Sequence, residues 1–300
     1  MTFGQGPTTN RRRLRLSLRK LREDRGLTLE DVRKRMEWSL SKILRIETGA
    51  VGISVNDLKV LLSFYEVSDP VTVEQLLDLA RQSRQRHWAS EYREVVSPAY
   101  MDFLGYEDDA CRITQFHPLV VPGLLQTEEY ARAVVVATTL TPVNDSVIEA
   151  RVRLRLARQR RLFGTLRHRR VRFLIDDDVL HKSLWDQAVI YSQLSRLIDL
   201  CDHPEIDMGI VRKGAKVPAR LTGPFSLHEF ESNLDPDVVY LDNMPNDVAL
   251  VDDKHVIDRY KRAIVDLFQH ADTGDDARDR LREIRNSFRP SENRSTEGVA

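Results

Sequence analysis

Residues 26–49, GLTLEDVRKRMEWSLSKILRIETG, constrain this chain more than any other stretch. The first amides of a helix lack intrahelical partners. A short oxygen-bearing side chain with an acid three residues later satisfies them reciprocally. Thr28 and Asp31 have that spacing, and Leu27 with Val32 flanks the same start as a hydrophobic staple. Ser39 repeats the cap, and Trp38 with Ile43 repeats the staple. Gly49 suits a helix C-terminus. The pattern predicts two helices of about ten residues joined by a short turn. That is a helix-turn-helix, whose second helix suits the major groove of DNA.

Three hundred residues suggest about two domains. With 41% hydrophobic and 31% charged residues, the composition is that of a folded protein rather than a disordered one. No apolar run approaches the roughly 18 residues of a membrane span, and the first ten residues hold no apolar signal segment. Cys111 and Cys201 lie far apart and read as small buried side chains in a reducing compartment. A cytoplasmic, nucleoid-associated protein without a membrane partner is expected. Net charge is zero, yet residues 11–45 hold thirteen Lys and Arg against five Asp and Glu. Such a local excess favours phosphate contact.

Residues 1–10 read as a disordered tail, 11–70 as the helix-turn-helix domain and 71–95 as a connecting helix. Residues 96–285 read as an α+β domain and 286–300 as a second disordered tail. Leu14, Leu18 and Leu21 mark a first helix, Leu58, Leu61, Leu62 and Tyr65 a fourth, and Leu76, Leu77 and Ala80 a fifth over residues 72–90. Beyond these, strands are expected near 111–116, 171–175, 207–211, 225–230 and 238–241. Helices are expected over 127–138, 146–163, 184–200, 252–270 and 275–284. The fold class is α+β overall, with an all-α five-helix N-terminal domain and an α+β C-terminal domain.

Ser41, Lys42 and Arg45 share one face of the helix that begins at Ser39. Lys42 or Arg45 could donate to guanine O6 and N7, and Ser41 could bond a base or a phosphate. Ile43 and Ile46 face the core. Thr28 and Ser39, at helix N-termini, are candidate phosphate clamps as well as caps. Arg11, Arg12 and Arg13 are candidate phosphate contacts. Asp176, Asp177, Asp178 and His181 are suitable metal ligands by type, and the acids equally suit a helix N-terminus, which is the preferred reading. The helix carrying Arg151, Arg153, Arg155, Arg158, Arg160 and Arg161 could hold an acidic ligand, a partner or more DNA, or could be an ordinary solvated helix. The run VPGLLQ from Val121 could line a pocket or dock a helix. No HExxH, paired CxxC, P-loop or GxSxG occurs. No catalytic residue, metal or cofactor is therefore expected, and the chain does not read as an enzyme.

Leu21-Arg22, Gly26 to Val32, Ser39, Ser41-Lys42-Ile43, Arg45-Ile46-Glu47 and Gly49 together resemble the DNA-binding domain of the phage-repressor and Cro (XRE) family, over about residues 14–66. The resemblance implies a buried pair between Arg22 and Glu47 that locks the first helix to the recognition helix. It also implies a base-reading position at Leu40, whose side chain neither donates nor accepts and suits a thymine methyl or the turn. VPGLLQTEEYAR from Val121 to Arg132, Arg158-Gln159, GPF from Gly223, VVY from Val238 and Arg259-Tyr260 are similar to a domain of unknown function. That domain follows XRE domains in actinomycete, sometimes antitoxin-like, regulators. The resemblance implies a sequence-specific transcriptional regulator and double-stranded DNA as its partner. A homodimer would set two recognition helices roughly 34 Å apart. A small partner protein encoded nearby and a small-molecule effector are further partners of such regulators. The alternative is an antitoxin-like adaptor acting mainly on the small protein.

Overall fold

The computed structural model describes residues 6–139, 141–182, 185–231, 235–243 and 247–288. Its N-terminal part is helical: α1 (Pro7–Asp24), α2 (Leu29–Met36), α3 (Leu40–Glu47), α4 (Val55–Phe64) and α5 (Pro70–Gln82). The starts follow from local chemistry. Thr28 Oγ1 accepts from the Asp31 amide, and the Asp31 carboxylate accepts from the Thr28 amide at 2.8 Å, a complete capping box. Ser39 accepts from the Lys42 amide at 3.1 Å and Ser54 from the Asp57 amide at 2.9 Å. Asp69 caps α5 with Pro70 in its first turn, where a missing amide costs nothing. Leu14, Leu18, Val32, Ile43, Ile46 and Leu58 meet in one core, which removes the apolar stripes of four helices from water.

The C-terminal part adds α6 (Pro98–Asp109), β1 (Arg112–His117), α7 (Glu128–Thr138), α8 (Asp145–Phe163), β2 (Arg170–Asp176), α9 (Asp177–Leu180) and α10 (Gln187–Cys201). It continues through β3 (Ile206–Val211), β4 (Phe225–Glu229), β5 (Val238–Asn243), β6 (Asp247–Val251), α11 (Lys254–Gln269), β7 (Ala271–Thr273) and α12 (Gly274–Ser287). The strands form one mixed sheet in the order β6-β5-β4-β1-β2-β3-β7. β1, β2 and β3 run parallel at its centre, β4, β5 and β6 form an antiparallel meander beside β1, and β7 lies antiparallel to β3. Alternation places Val171, Phe173 and Ile175 against α7, α8, α10 and α12 on one face. Leu174 packs toward α11 on the other. The domain is α+β, as its residue pattern predicts.

Several boundaries differ from expectation. α1 begins at Pro7, inside the expected tail, because the C-terminal domain covers its first turns and buries Thr8, Thr9 and Asn10. Residues 1–5 and 289–300 lie outside the described residues. α12 nevertheless runs to Ser287 with Phe288 buried, so residues 286–288 do not belong to the expected tail. The connecting helix ends at Gln82, and a 3-10 turn over Trp88–Tyr92 follows. α10 begins at Gln187, and Leu184 falls outside the described residues. α6 has no counterpart in the expected elements. It buries Gly105, Glu107 and Asp109 as well as Phe103 and Leu104, so it lacks the polar stripe that periodicity needs. Both cysteines are free.

Candidate nucleic-acid interface

Between α2 and α3 the chain reverses at Glu37, which adopts φ 54°, the left-handed conformation usually left to glycine. The angle between the helices is then fixed by a charge pair. Arg22 Nε donates to Glu47 Oε1 at 2.6 Å and Nη2 to Oε2 at 3.0 Å, with both side chains 11% exposed. Its Nη1 donates to Leu27 O at 2.8 Å. One guanidinium therefore ties α1, the start of α2 and the end of α3, in the fork geometry that suits a carboxylate. The hydrogen bond to Glu47 raises the Arg22 pKa above its ordinary value.

On α3, Ile43 and Ile46 are buried, and Ser41, Leu44 and Arg45 project outward together. Their spacings of three and four residues put them on one stripe. Leu40, 42% exposed, stands beside them at the helix start. Lys42 is turned aside: its ammonium lies 3.8 Å from the centre of the Trp38 ring and 3.5 Å from the Asp57 carboxylate. The structure thus brings Ser41 and Arg45 together and separates Lys42 from them. Leu44, which is not among the residues expected there, takes the remaining place on the stripe, three residues after Ser41. Thr28 and Ser39 are exposed at the two helix N-termini. The Thr28 hydroxyl also donates to the Asp31 carboxylate at 2.6 Å, which sets a negative group beside that helix start.

Two of the three N-terminal arginines, Arg12 and Arg13, require a correction. Arg12 is 1% exposed, and its guanidinium donates to Pro236 O. Arg13 Nε donates to Asp235 Oδ1 at 2.7 Å. Arg11 is part-buried, with Asp102 near enough to feel its charge. Arg12 and Arg13 are not phosphate contacts, because the face of α1 that carries them packs on the C-terminal domain. Arg15 follows, with Nη2 3.4 Å from Asp252. Exposed bases that remain around the helix pair include Lys34, Arg35 and Arg45.

Elsewhere, the acids near His181 are engaged by arginines. Arg220 holds Asp176 at 2.6 Å, Arg280 holds Asp177 at 2.9 Å, and Asp176 caps α9. No group of three or more His, Cys, Asp or Glu among the described residues is arranged to hold a metal. α8 is not a simple solvated helix. Arg158 is buried against Glu107, Nη2 to Oε2 at 2.7 Å, and donates to the Tyr100 hydroxyl at 2.6 Å. Gln159 donates to the carbonyls of Gly123 and Gln126, both at 2.9 Å, so the VPGLLQ turn docks on α8.

Two capped helices set across a tight turn, with an outward stripe on the second, define a helix-turn-helix protein with an appended α+β domain. A family model described as a helix-turn-helix domain matches residues 13–84. A second, described as a domain of unknown function (DUF5753), matches residues 100–283. The second covers more than half of the chain, and the chain belongs to that family. No curated protein and no solved structure matches it. Among the described residues no helix is long and apolar enough to cross a membrane.

Proposed function

We propose that this chain is a sequence-specific transcriptional regulator that reads double-stranded DNA in the major groove with α3. The outward stripe of Ser41, Leu44 and Arg45 carries the reading, because these side chains project from a helix locked at both ends. Arg45 donates to guanine O6 and N7, Ser41 bonds a base edge or phosphate, and Leu40 and Leu44 pack on thymine methyls. The amides at the starts of α2 and α3, beside Thr28 and Ser39, hold the flanking phosphates. Lys42 serves as a phosphate contact from the side of the helix. The C-terminal domain supplies dimerisation, binding of a small partner protein or signal sensing. No catalytic chemistry is assigned to the chain. A two-fold dimer sets its α3 helices roughly 34 Å apart on a near-palindromic site.

Selection of bound duplexes from a random pool tests this reading. Enrichment of a defined site is expected, and Arg45→Ala should relax preference at one base pair by about 1–3 kcal/mol. Recovery of no duplex above random competitor would overturn it.

A further inference from the structure

Between α8 and the sheet lies a cavity of about 350 Å³, at the small end of small-molecule sites. α6 contributes Tyr100 and Phe103, β5 contributes the Tyr240 ring, and these form an aromatic wall. Gln115 and Ser226 line the sheet side and bond each other at 3.3 Å. α8 supplies the charge, and its arginines differ in kind. Arg158 is neutralised by Glu107. Arg155 donates only to the uncharged Gln126 Oε1, at 2.7 Å, and has no carboxylate partner among the described residues. Arg151 likewise bonds only Val95 O and Thr139 Oγ1. Burial, and after it the charge of Arg158, disfavours the Arg155 cation, and Tyr100 and Asp242 offset that cost only in part. The acids of the lining, Glu94 and Asp242, are exposed residues at the rim or half-exposed, where water screens them. A part-buried cationic fork beside an aromatic wall is complementary to a planar anion on an apolar body.

We propose that this cavity binds a small carboxylic acid, with the carboxylate on Arg155 and the apolar body against Tyr100, Phe103 and Tyr240. We also infer that α6 carries occupancy to the DNA-binding domain, a consequence that rests on the regulator reading. The far half of α6 grips α1. Gly105 packs directly on Thr8, the Asp109 carboxylate accepts from the Gly6 amide at 3.1 Å, and the Arg12 guanidinium lies 5.6 Å from the centre of the Tyr106 ring. α1 in turn holds α3 through Arg22 and Glu47.

Ligand-observed NMR of the full chain with benzoate, phenylacetate, cinnamate and octanoate, against phenylmethanol and phenylphosphonate, tests the binding. Saturable binding of at least one carboxylate, with none of phenylmethanol, is expected. Arg155→Met should weaken it at least tenfold while the fold is retained. Arg155→Lys, which keeps the charge and loses the fork, should fall between. No carboxylate bound, tighter binding of the phosphonate, or equal binding by Arg155→Met would overturn the site. On the selected duplex, the bound acid should change DNA affinity at least threefold in the wild type and not in Arg155→Met. Carboxylate binding with DNA affinity unchanged would overturn only the coupling through α6. Carboxylate binding by a protein that selects no duplex would leave the site standing and remove the regulator reading.

Discussion

Arg22 and Glu47 sit 25 residues apart in sequence and close the helix-turn-helix around a two-point contact. Removing one partner leaves the other charge poorly solvated, so Glu47→Ala should cost about 3 kcal/mol in a urea titration. Replacing both by apolar residues should recover much of that loss. Glu37 offers the opposite sign. Its φ of 54° strains a residue with a Cβ, and the strain disappears in glycine. Glu37→Gly should raise stability by about 0.5–1 kcal/mol in the same titration. His228 sets a pH dependence. It is fully buried, with Nε2 2.9 Å from Ser226 Oγ, and burial beside Arg158 and Arg169 pushes it down to about 3. Between the unfolded value of 6.5 and about 3 the unfolded chain binds the extra proton, so stability is lost as pH falls through that window. The slope is about 1.4 kcal/mol per pH unit below pH 6. Urea midpoints at pH 6 and pH 5 measure it, and His228→Gln should flatten the difference.

At the scale of elements, the junction of α1 and α6 depends on one missing side chain. A Cβ on Gly105 would lie 2.1 Å from Thr8 Oγ1. The contact is helix against helix, so neither backbone yields easily. Gly105→Ala should cost about 1–3 kcal/mol, the usual range for overpacking, read as a lowered thermal midpoint. Thr8→Ser, which removes the methyl but keeps the hydroxyl at the clash, should not rescue it, whereas Thr8→Gly should do so in part. α6 also explains why this element was invisible to periodicity. It is covered by α1 on one side and by α8 and β6 on others, and buries Glu107, which pairs with Arg158, and Asp109, which accepts from the Gly6 amide. The α2 and α3 helices are the contrary case, since each carries its own cap and its own apolar stripe within eight residues.

Across the whole molecule, the basic N-terminal segment has two destinations. Arg12, Arg13 and Arg15 meet Pro236, Asp235 and Asp252 of the C-terminal domain, and Lys34 and Arg35 of α2 and Arg45 of α3 stay outside. Loss of a phosphate contact would lower the salt slope of DNA binding by about one. Arg13→Ala should leave that slope unchanged and reduce stability instead. Fluorescence anisotropy across a salt series, paired with urea titration, measures both effects. A slope reduced by about one would return Arg13 to the DNA.

Local chemistry alone determined the caps at Thr28, Ser39 and Ser54, the two helices of the turn, and the alternating strand at Val171, Phe173 and Ile175. Each depends on neighbours within a few residues, so a linear reading reaches it. The tertiary structure decided which of the many arginines remain outside. Arg12 and Arg45 are the same residue type in the same basic segment, yet one is enclosed by a sheet domain more than two hundred residues away and the other is exposed. Charge runs carry no record of what packs over them. The same limit hid the cavity, because its wall is assembled from α6, α8 and three strands that only the closed fold brings within reach of Arg155.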